Sequence, residues 1–302
     1  MTLHFSLSDS NVRLGLRSSA VLLRKILAPH VPAKPESDLG YVYVDWKRGE
    51  AATFLVTDGF TIRQIRASEL RMPVARTLLE GEEDADEERG FVPWWLLTRA
   101  QENAAFTCQK RSCTCVLTHD VTYDTLALTM RSAALTKAPS TSALVPSSPP
   151  RHAIEVSAKE LRRAIGQASK QSATALPPGT DAFLQKRRAT TPFVCLDVAK
   201  GDGKLVLSIG AEPDVANAKT GALTPLASSV FLGEKEAPTS GERTRVWVRA
   251  SYLRSCVATN DPRVRLDLRG ALDIVIVRPT IDRLAGEPSR EKDFSALMPV
   301  RA

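Results

Sequence analysis

HAIEVSAKELRRAIGQASK, residues 152–170, carries the pattern that decides the fold class. His152 to Val156 alternate along a short strand. Ser157 ends that period and, with Glu160 three residues on, forms a capping box that opens a helix. Beyond it the apolar spacing changes from two to about 3.6, and Leu161, Ala164, Ile165 and Ala168 share one face. Lys159, Arg163 and Lys170 fall on a different face, at spacings of four and seven. The unit is a strand that runs directly into an amphipathic helix.

Downstream the strands come in pairs. Phe193–Val198 and Lys204–Ile209 flank Lys200-Gly201-Asp202-Gly203, a hairpin turn. Then follow a strand at Arg245–Val248, a second helix over Ala250–Ala258, strands at Val264–Leu268 and Leu272–Val277, and a final strand around Phe294–Val300.

Upstream, residues 136–151 are dense in Pro, Ser and Thr, which break regular structure. This places a linker at 139–151, between a domain over 1–138 and one over 152–302. The first half repeats the order of the second. Val12–Arg17 reads as a strand, with a further strand at Leu3–Leu7. Ser18 or Ser19 caps a helix whose Leu22, Leu23, Ile26 and Leu27 pair four apart and whose charge comes from Arg24 and Lys25. Tyr41–Trp46 and Thr53–Thr57 are strands. Pro93 suits the first turn of a second helix that carries Trp94, Trp95 and Arg99. Cys113–Leu117 and Thr125–Met130 close the half. Hairpin connections outnumber crossovers, so the class is α+β: two repeated modules, each with antiparallel sheets and two helices. A parallel nucleotide-binding sheet needs strand–helix crossovers that are missing here.

The chain has 302 residues, 43% hydrophobic and 25% charged, which supports folded cores and argues against global disorder. No apolar run approaches the roughly 20 residues that span a bilayer, and the start lacks a secretory pattern, so the expected location is cytoplasmic, with no membrane partner. Net charge is +7, but Glu80–Glu88 holds seven acids, a self-repelling block expected to be a solvated loop; the remainder carries +14. That balance fits a polyanionic partner, nucleic acid first. The five cysteines are odd in number and read as reduced thiols. Cys108, Cys113 and Cys115, with His119 nearby, lack the paired spacing of a structural zinc site, and Cys113 and Cys115 read as core residues of a strand. No phosphate-binding loop, zinc-protease motif or nucleophile elbow is present, and no cofactor is expected. His4, His30, His119 and His152 are scattered; His30 reads as a surface cap at a helix C-terminus, and Asp58 before Gly59 as turn chemistry. The chain is expected not to be an enzyme. Positive charge sits on all four expected helices, at Arg24, Lys25, Arg99, Lys159, Arg162, Arg163, Lys170 and Arg254.

Several stretches resemble the bacterial sliding-clamp family, the β subunit of DNA polymerase III. Val56-Thr57-Asp58-Gly59-Phe60-Thr61-Ile62 is similar to the family's Thr-Asp-Gly motif at a strand end in its middle domain. Val92-Pro93 opens a helix as in that domain, and Arg249-Ala250-Ser251-Tyr252-Leu253 resembles the opening of the last helix. Ala296-Leu297-Met298-Pro299-Val300-Arg301-Ala302 resembles the family's Met-Pro-apolar-Arg terminus, and Pro139–Pro146 matches the spacing of a Pro and an apolar residue at its partner pocket. The chain departs from the pattern at Thr61, where the family has a basic residue, and at Ala302, where it has a larger apolar one. The likeness covers the middle and last of the usual three domains.

The resemblance implies two repeated DNA-clamp domains and a processivity factor in DNA replication. It would enclose duplex DNA in a ring and tether replication or repair enzymes, DNA polymerase and clamp loader among them, through short peptide motifs. Two domains per chain imply a homotrimeric ring, with a dimer as the alternative. The eight helix cations are then the DNA-binding residues. The partner-peptide pocket is implied at Thr57, Gly59, Phe60, Ile62, Pro139, Leu144, Met298, Pro299, Val300 and Arg301, between the domains. Two other readings compete: a clamp-like regulatory module that binds proteins without forming a ring, and a nuclease or transferase accessory enzyme. The acids of Glu80–Glu88 lack the spaced geometry that metal catalysis by the last would need.

Overall fold

Alternation and hairpin turns build sheets, and each sheet needs an apolar layer laid against it. A computed structural model of the chain describes residues 3–7, 19–31, 40–47, 52–66, 74–76, 87–99, 103–109, 112–118, 125–131, 149–174, 192–201, 204–211, 224–226, 243–257, 262–280 and 294–299. The chain divides into two compact units, Met1–Pro139 and Ser140–Ala302.

Unit 1 runs β1 (Leu3–Leu7), α1 (Ser19–Leu27), a 3-10 turn (Ala28–His30), β2 (Tyr41–Lys47), β3 (Thr53–Thr57), β4 (Thr61–Arg66), β5 (Val74–Arg76) and β6 (Glu87–Pro93). It continues with α2 (Trp94–Arg99), β7 (Asn103–Gln109), β8 (Ser112–Thr118) and β9 (Thr125–Arg131). Unit 2 runs β10 (His152–Ser157), α3 (Ala158–Thr174), β11 (Phe193–Gly201), β12 (Lys204–Ala211), β13 (Thr224–Leu226), β14 (Thr244–Arg249), α4 (Ala250–Cys256), β15 (Arg263–Leu268), β16 (Val275–Thr280) and β17 (Phe294–Leu297). In unit 1 the strands order as β6-β2-β3-β4 and β5-β1-β7-β8-β9; in unit 2, as β14-β11-β12-β13 and β10-β15-β16-β17. Apart from the added edge strand β5, the second pattern is the first repeated.

The repeat extends to single hydrogen bonds. The first amide of α2, at Trp94, donates to the carbonyl of Gly40 at 2.9 Å; the first amide of α4, at Ala250, donates to Pro192 at 3.0 Å. Gly40 precedes β2 and Pro192 precedes the corresponding β11. Each bond satisfies one of the orphan N–H groups at a helix start and fixes the helix to the sheet.

Unit 2 has the clearer core. Val246, Leu196 and Ile209 form one row across β14, β11 and β12; Ile154, Leu266 and Val277 form another across β10, β15 and β16. All six are buried with Leu161, Ala164, Ile165 and Ala168 of α3 in one apolar cluster. The Ser157 hydroxyl accepts the Glu160 amide at 3.4 Å, as the capping box requires. Burial of a Leu or Ile here contributes about 1.5–3 kcal/mol, enough to hold a helix that propensity alone would leave marginal. The α+β class with antiparallel sheets is as expected from the sequence.

Several boundaries differ from the sequence reading. The strand expected from Leu272 begins at Val275. Gly270 to Asp273 form a tight turn instead, closed by the Asp273 amide on the Gly270 carbonyl at 3.3 Å, with Leu272 62% exposed. Pro93 is not in a helix: it ends β6 opposite Tyr41, and α2 starts one residue later. Glu87 and Glu88 lie in β6, in register with Lys47 and Trp46 of β2, rather than in a loop. The second helix of unit 2 ends at Cys256, and β17 ends at Leu297, before Met298 and Pro299; Pro299 has no N–H for a ladder. The strands β4, β5, β6, β7 and β13 are additions to the sequence reading. Val12–Arg17, Glu80–Asp86 and the segment 132–148 lie outside the described residues.

Gly166 lies in the interior of α3, and a Cβ built there meets nothing within 4 Å. Helix interiors disfavour Gly relative to Ala by roughly 0.5–1 kcal/mol. Gly166→Ala is expected to raise the melting temperature of unit 2 by about 2–4 °C, read by differential scanning calorimetry. A decrease would mean that this position does not have the open surroundings described.

Candidate functional site

A helix with one apolar stripe leaves the opposite stripe to solvent. On α3 the exposed residues are Lys159, Arg163, Gln167, Lys170 and Gln171, which recur at helical spacing along one side. Arg162 is half-buried and folds back, its Nε donating to the Ala158 carbonyl at 3.2 Å. On α4, which packs beside α3, Ser251 and Arg254 are exposed. In unit 1, Lys25 of α1 is exposed. Half-buried Arg24 reaches across to α2 and donates to the Thr98 carbonyl at 2.5 Å, joining the two helices. Arg99 lies at the C-terminal end of α2; its side chain is outside the described residues. Across the four helices there are eight Lys and Arg and a single acid, Glu160.

The strands treat charge differently. Asp197 of β11 is buried and held by Arg243, whose Nε lies 2.8 and 2.9 Å from its two oxygens and whose terminal nitrogen also bonds it, and by Arg245 at 2.9 Å. Asp267 of β15 is buried between Arg265 at 2.6 Å and Arg278 at 3.1 Å. These two buried carboxylates each take two arginine partners, whereas the helix cations share a single helix acid, Glu160.

The Thr57–Thr61 turn joins β3 to β4. Gly59 has φ of 87°, a conformation that favours glycine. Asp58 Oδ1 accepts the amides of Phe60 at 2.9 Å and Thr61 at 2.6 Å, and the Thr61 hydroxyl at 3.0 Å. The Thr57 hydroxyl donates to the Thr61 carbonyl at 2.7 Å and accepts the Gly59 amide at 3.0 Å. Asp58 is thus a turn former, as its place before Gly predicts. His30, by contrast, is not a surface cap: it is 1% exposed, and its Nδ1 meets the Thr61 hydroxyl at 3.0 Å. The chain returns to it from β4, which adjacency along the sequence does not reveal.

Of the residues implied for a peptide pocket, Thr57 is buried, Ile62 half-buried, and Gly59 and Phe60 exposed, Phe60 at 51%. In unit 2, Met298 is 48% exposed and Pro299 half-buried. Pro139, Leu144, Val300 and Arg301 lie outside the described residues. Cys108 and Cys113 are register partners on β7 and β8; the side chains of the Cys108–Cys115 cluster are outside the described residues. Cys195 and Cys256 are buried free thiols. Among the described residues no group of three or more His, Cys, Asp or Glu could hold a metal, and no helix is long and apolar enough to cross a membrane.

No protein-family model and no curated protein matches the chain. Solved structures do. The DNA polymerase sliding clamp of Bacillus subtilis matches with a TM-score of 0.57 at 15% identity, over 99% of this chain and 64% of that one. The sliding clamp of Pseudomonas aeruginosa matches with a TM-score of 0.61 at 15% identity, over 99% and 67%. The Helicobacter pylori beta clamp, solved with carprofen, matches with 0.61 at 10%, over 99% and 67%. This is the fold of the bacterial sliding clamps. The match runs through both units, and the chain spans 64% to 67% of the length of these clamps. The helix cations and the Thr57–Thr61 turn lie within the part of the chain that shares this fold.

Asp197 gives that fold a pH signature. Burial pushes its carboxyl up, but the hydrogen bonds and charges of Arg243 and Arg245 outweigh burial and hold it below its ordinary 3.8. A depressed folded-state value adds stability that is present above the unfolded value and lost as pH falls through the folded one. Asp197→Asn is expected to lower unfolding stability by about 1–2 kcal/mol at neutral pH, with half-exposed arginines limiting the effect. The gap from the unmodified chain should close below about pH 4 in denaturant titrations. A gap that is the same at every pH would assign the loss to packing instead.

Proposed function

We propose that the chain is a non-enzymatic sliding clamp: copies of it close around duplex DNA and tether replication or repair enzymes. The observation that carries the reading is the coincidence of the clamp fold over 99% of the chain with eight cations against one acid on its four helices. With two units per chain, three copies would supply six clamp domains, and a homotrimer is the proposed ring.

The mechanism is topological. An enclosing ring cannot leave DNA sideways, so it needs no tight grip. Lys159, Arg163 and Lys170 mark a stripe about 16 Å long on α3, at 1.5 Å per residue. Such side chains neutralise phosphates and release counterions without reading bases, so every register along the duplex is equivalent and sliding meets little resistance. Arg24, Lys25, Arg99, Arg162 and Arg254 are the other helix cations proposed to meet phosphates. A partner held to the ring gains a high effective concentration at its template. The proposed partners are DNA polymerase and clamp loader. They would dock through short apolar peptide motifs on the clamp-like stretches, with Phe60 and Met298 as exposed apolar contacts.

Two measurements test this. Reversing Lys159, Arg163 and Lys170 to Glu should weaken DNA binding and flatten the dependence of log affinity on log salt by about 2–3, near 0.9 per phosphate contact. An unchanged slope would remove these residues from the DNA surface. Chain loaded on closed-circular DNA should survive a high-salt wash and be released when the circle is cut. Equal loss from circle and line would reject encirclement, as would a monomer mass at every concentration.

A further inference from the structure

We infer that His30 is a positioning residue for partner binding, acting through the Thr61 hydroxyl to set the turn that exposes Phe60; this rests on the proposed reading of that turn as a peptide-docking element. The inference comes from counting protons. Thr61 Oγ1 lies 3.0 Å from both Asp58 Oδ1 and His30 Nδ1. A hydroxyl has one proton to give, and a carboxylate oxygen only accepts. Asp58 Oδ1, which already gathers two backbone amides, therefore takes the Thr61 proton. His30 Nδ1 must then be the donor, which puts a proton on Nδ1.

The result is a directed chain: His30 Nδ1–H to the Thr61 hydroxyl, and the Thr61 hydroxyl to Asp58. The bonds from Asp58 and Thr57 close within residues 57–61 and shape the turn. The His30 bond links that turn to a residue 31 positions upstream, at the end of the 3-10 turn that follows α1. His30 is well placed to hold still. It is 1% exposed, and Pro29 restricts the backbone beside it. What it steadies is an unfavourable arrangement, a phenylalanine 51% exposed at the tip of a tight turn. Fixing an exposed anchor before a partner arrives removes ordering cost from the binding step.

The experiment uses the full chain and griselimycin, the compound bound in a Pseudomonas aeruginosa clamp structure, with affinity read by titration calorimetry. Asparagine can place its amide nitrogen where His Nδ1 sits, whereas glutamine places it near Nε2. His30→Asn and Thr61→Ser should bind within about threefold of the unmodified chain, whereas His30→Gln and Thr61→Val should bind roughly tenfold more weakly, the value of one hydrogen bond lost from the chain. Amide exchange at Phe60 and Thr61 should quicken in the second pair and not in the first. Phe60→Ala reports on the docking reading itself and should abolish most binding.

If Phe60→Ala binds weakly while His30→Gln and Thr61→Val bind normally, the docking site stands and the positioning role falls. If His30→Asn is damaged as much as His30→Gln, the histidine serves packing rather than donation, and the inference is overturned. If Phe60→Ala binds normally, or the unmodified chain fails to bind, the docking reading falls and takes this inference with it. Should His30→Gln fail to fold, the Thr61→Ser and Thr61→Val pair decides by the same contrast.

Discussion

Each helix in this chain can bury only one of its faces, and the surface character of both units follows from that constraint. In α3 the buried face is Leu161, Ala164, Ile165 and Ala168, set against rows of Val, Leu and Ile from both sheets of unit 2. Once those residues are committed to the core, the opposite stripe must be polar, and here it is cationic. The strands had the same freedom and used it otherwise. Asp197 and Asp267 are each clamped by two arginines, so the charge there is largely spent on holding the sheets. The helix cations share a single helix acid, Glu160, and that excess of positive charge suits a polyanionic partner.

The duplication makes that separation systematic. The same strand order, the same two helix positions and the same amide-to-carbonyl bond at the second helix start occur in both units. A repeat at this level constrains geometry far more than it constrains residues. Trp94 bonding Gly40 and Ala250 bonding Pro192 share no side-chain chemistry; only a backbone donor and a backbone acceptor are needed. The units can therefore differ in sequence while each keeps its helices in the same relation to its own sheets.

Much of this was legible because period and capping are local. The change at Ser157 from strand to helix, the hairpin around residues 201–204 and the helix at Ala250 each depend on residues within one or two turns of each other. The misses have the opposite character. Leu272 has the apolarity of a strand residue, and only the turn between Gly270 and Asp273 shows that it projects into solvent. The acids Glu87 and Glu88 are strand residues because the backbone of β6 pairs along β2, a partner 40 residues upstream. His30 follows a helix, where a solvent-facing cap is the natural reading, yet it is buried because β4 brings Thr61 back to it. Such partners are set by register and topology, which composition does not encode.

The 10% to 15% identity to clamps of the same fold has a physical reading as well. Cores require apolar volume and pattern more than particular residues, so they tolerate wide replacement. A surface that meets phosphates by counterion release is equally permissive, because cations can move along a helix without losing their effect. A peptide-docking turn is less tolerant, since it needs an anchor at a defined place. Here the turn is built from Thr57, Asp58 and Gly59 and carries Thr61 behind the exposed Phe60. The hydroxyl at that position enables the bond to His30 and the bond to Asp58 at once. A Lys or Arg at that position could not both accept from the imidazole and donate to the carboxylate, so the threonine decides how the turn is held and not only what it displays.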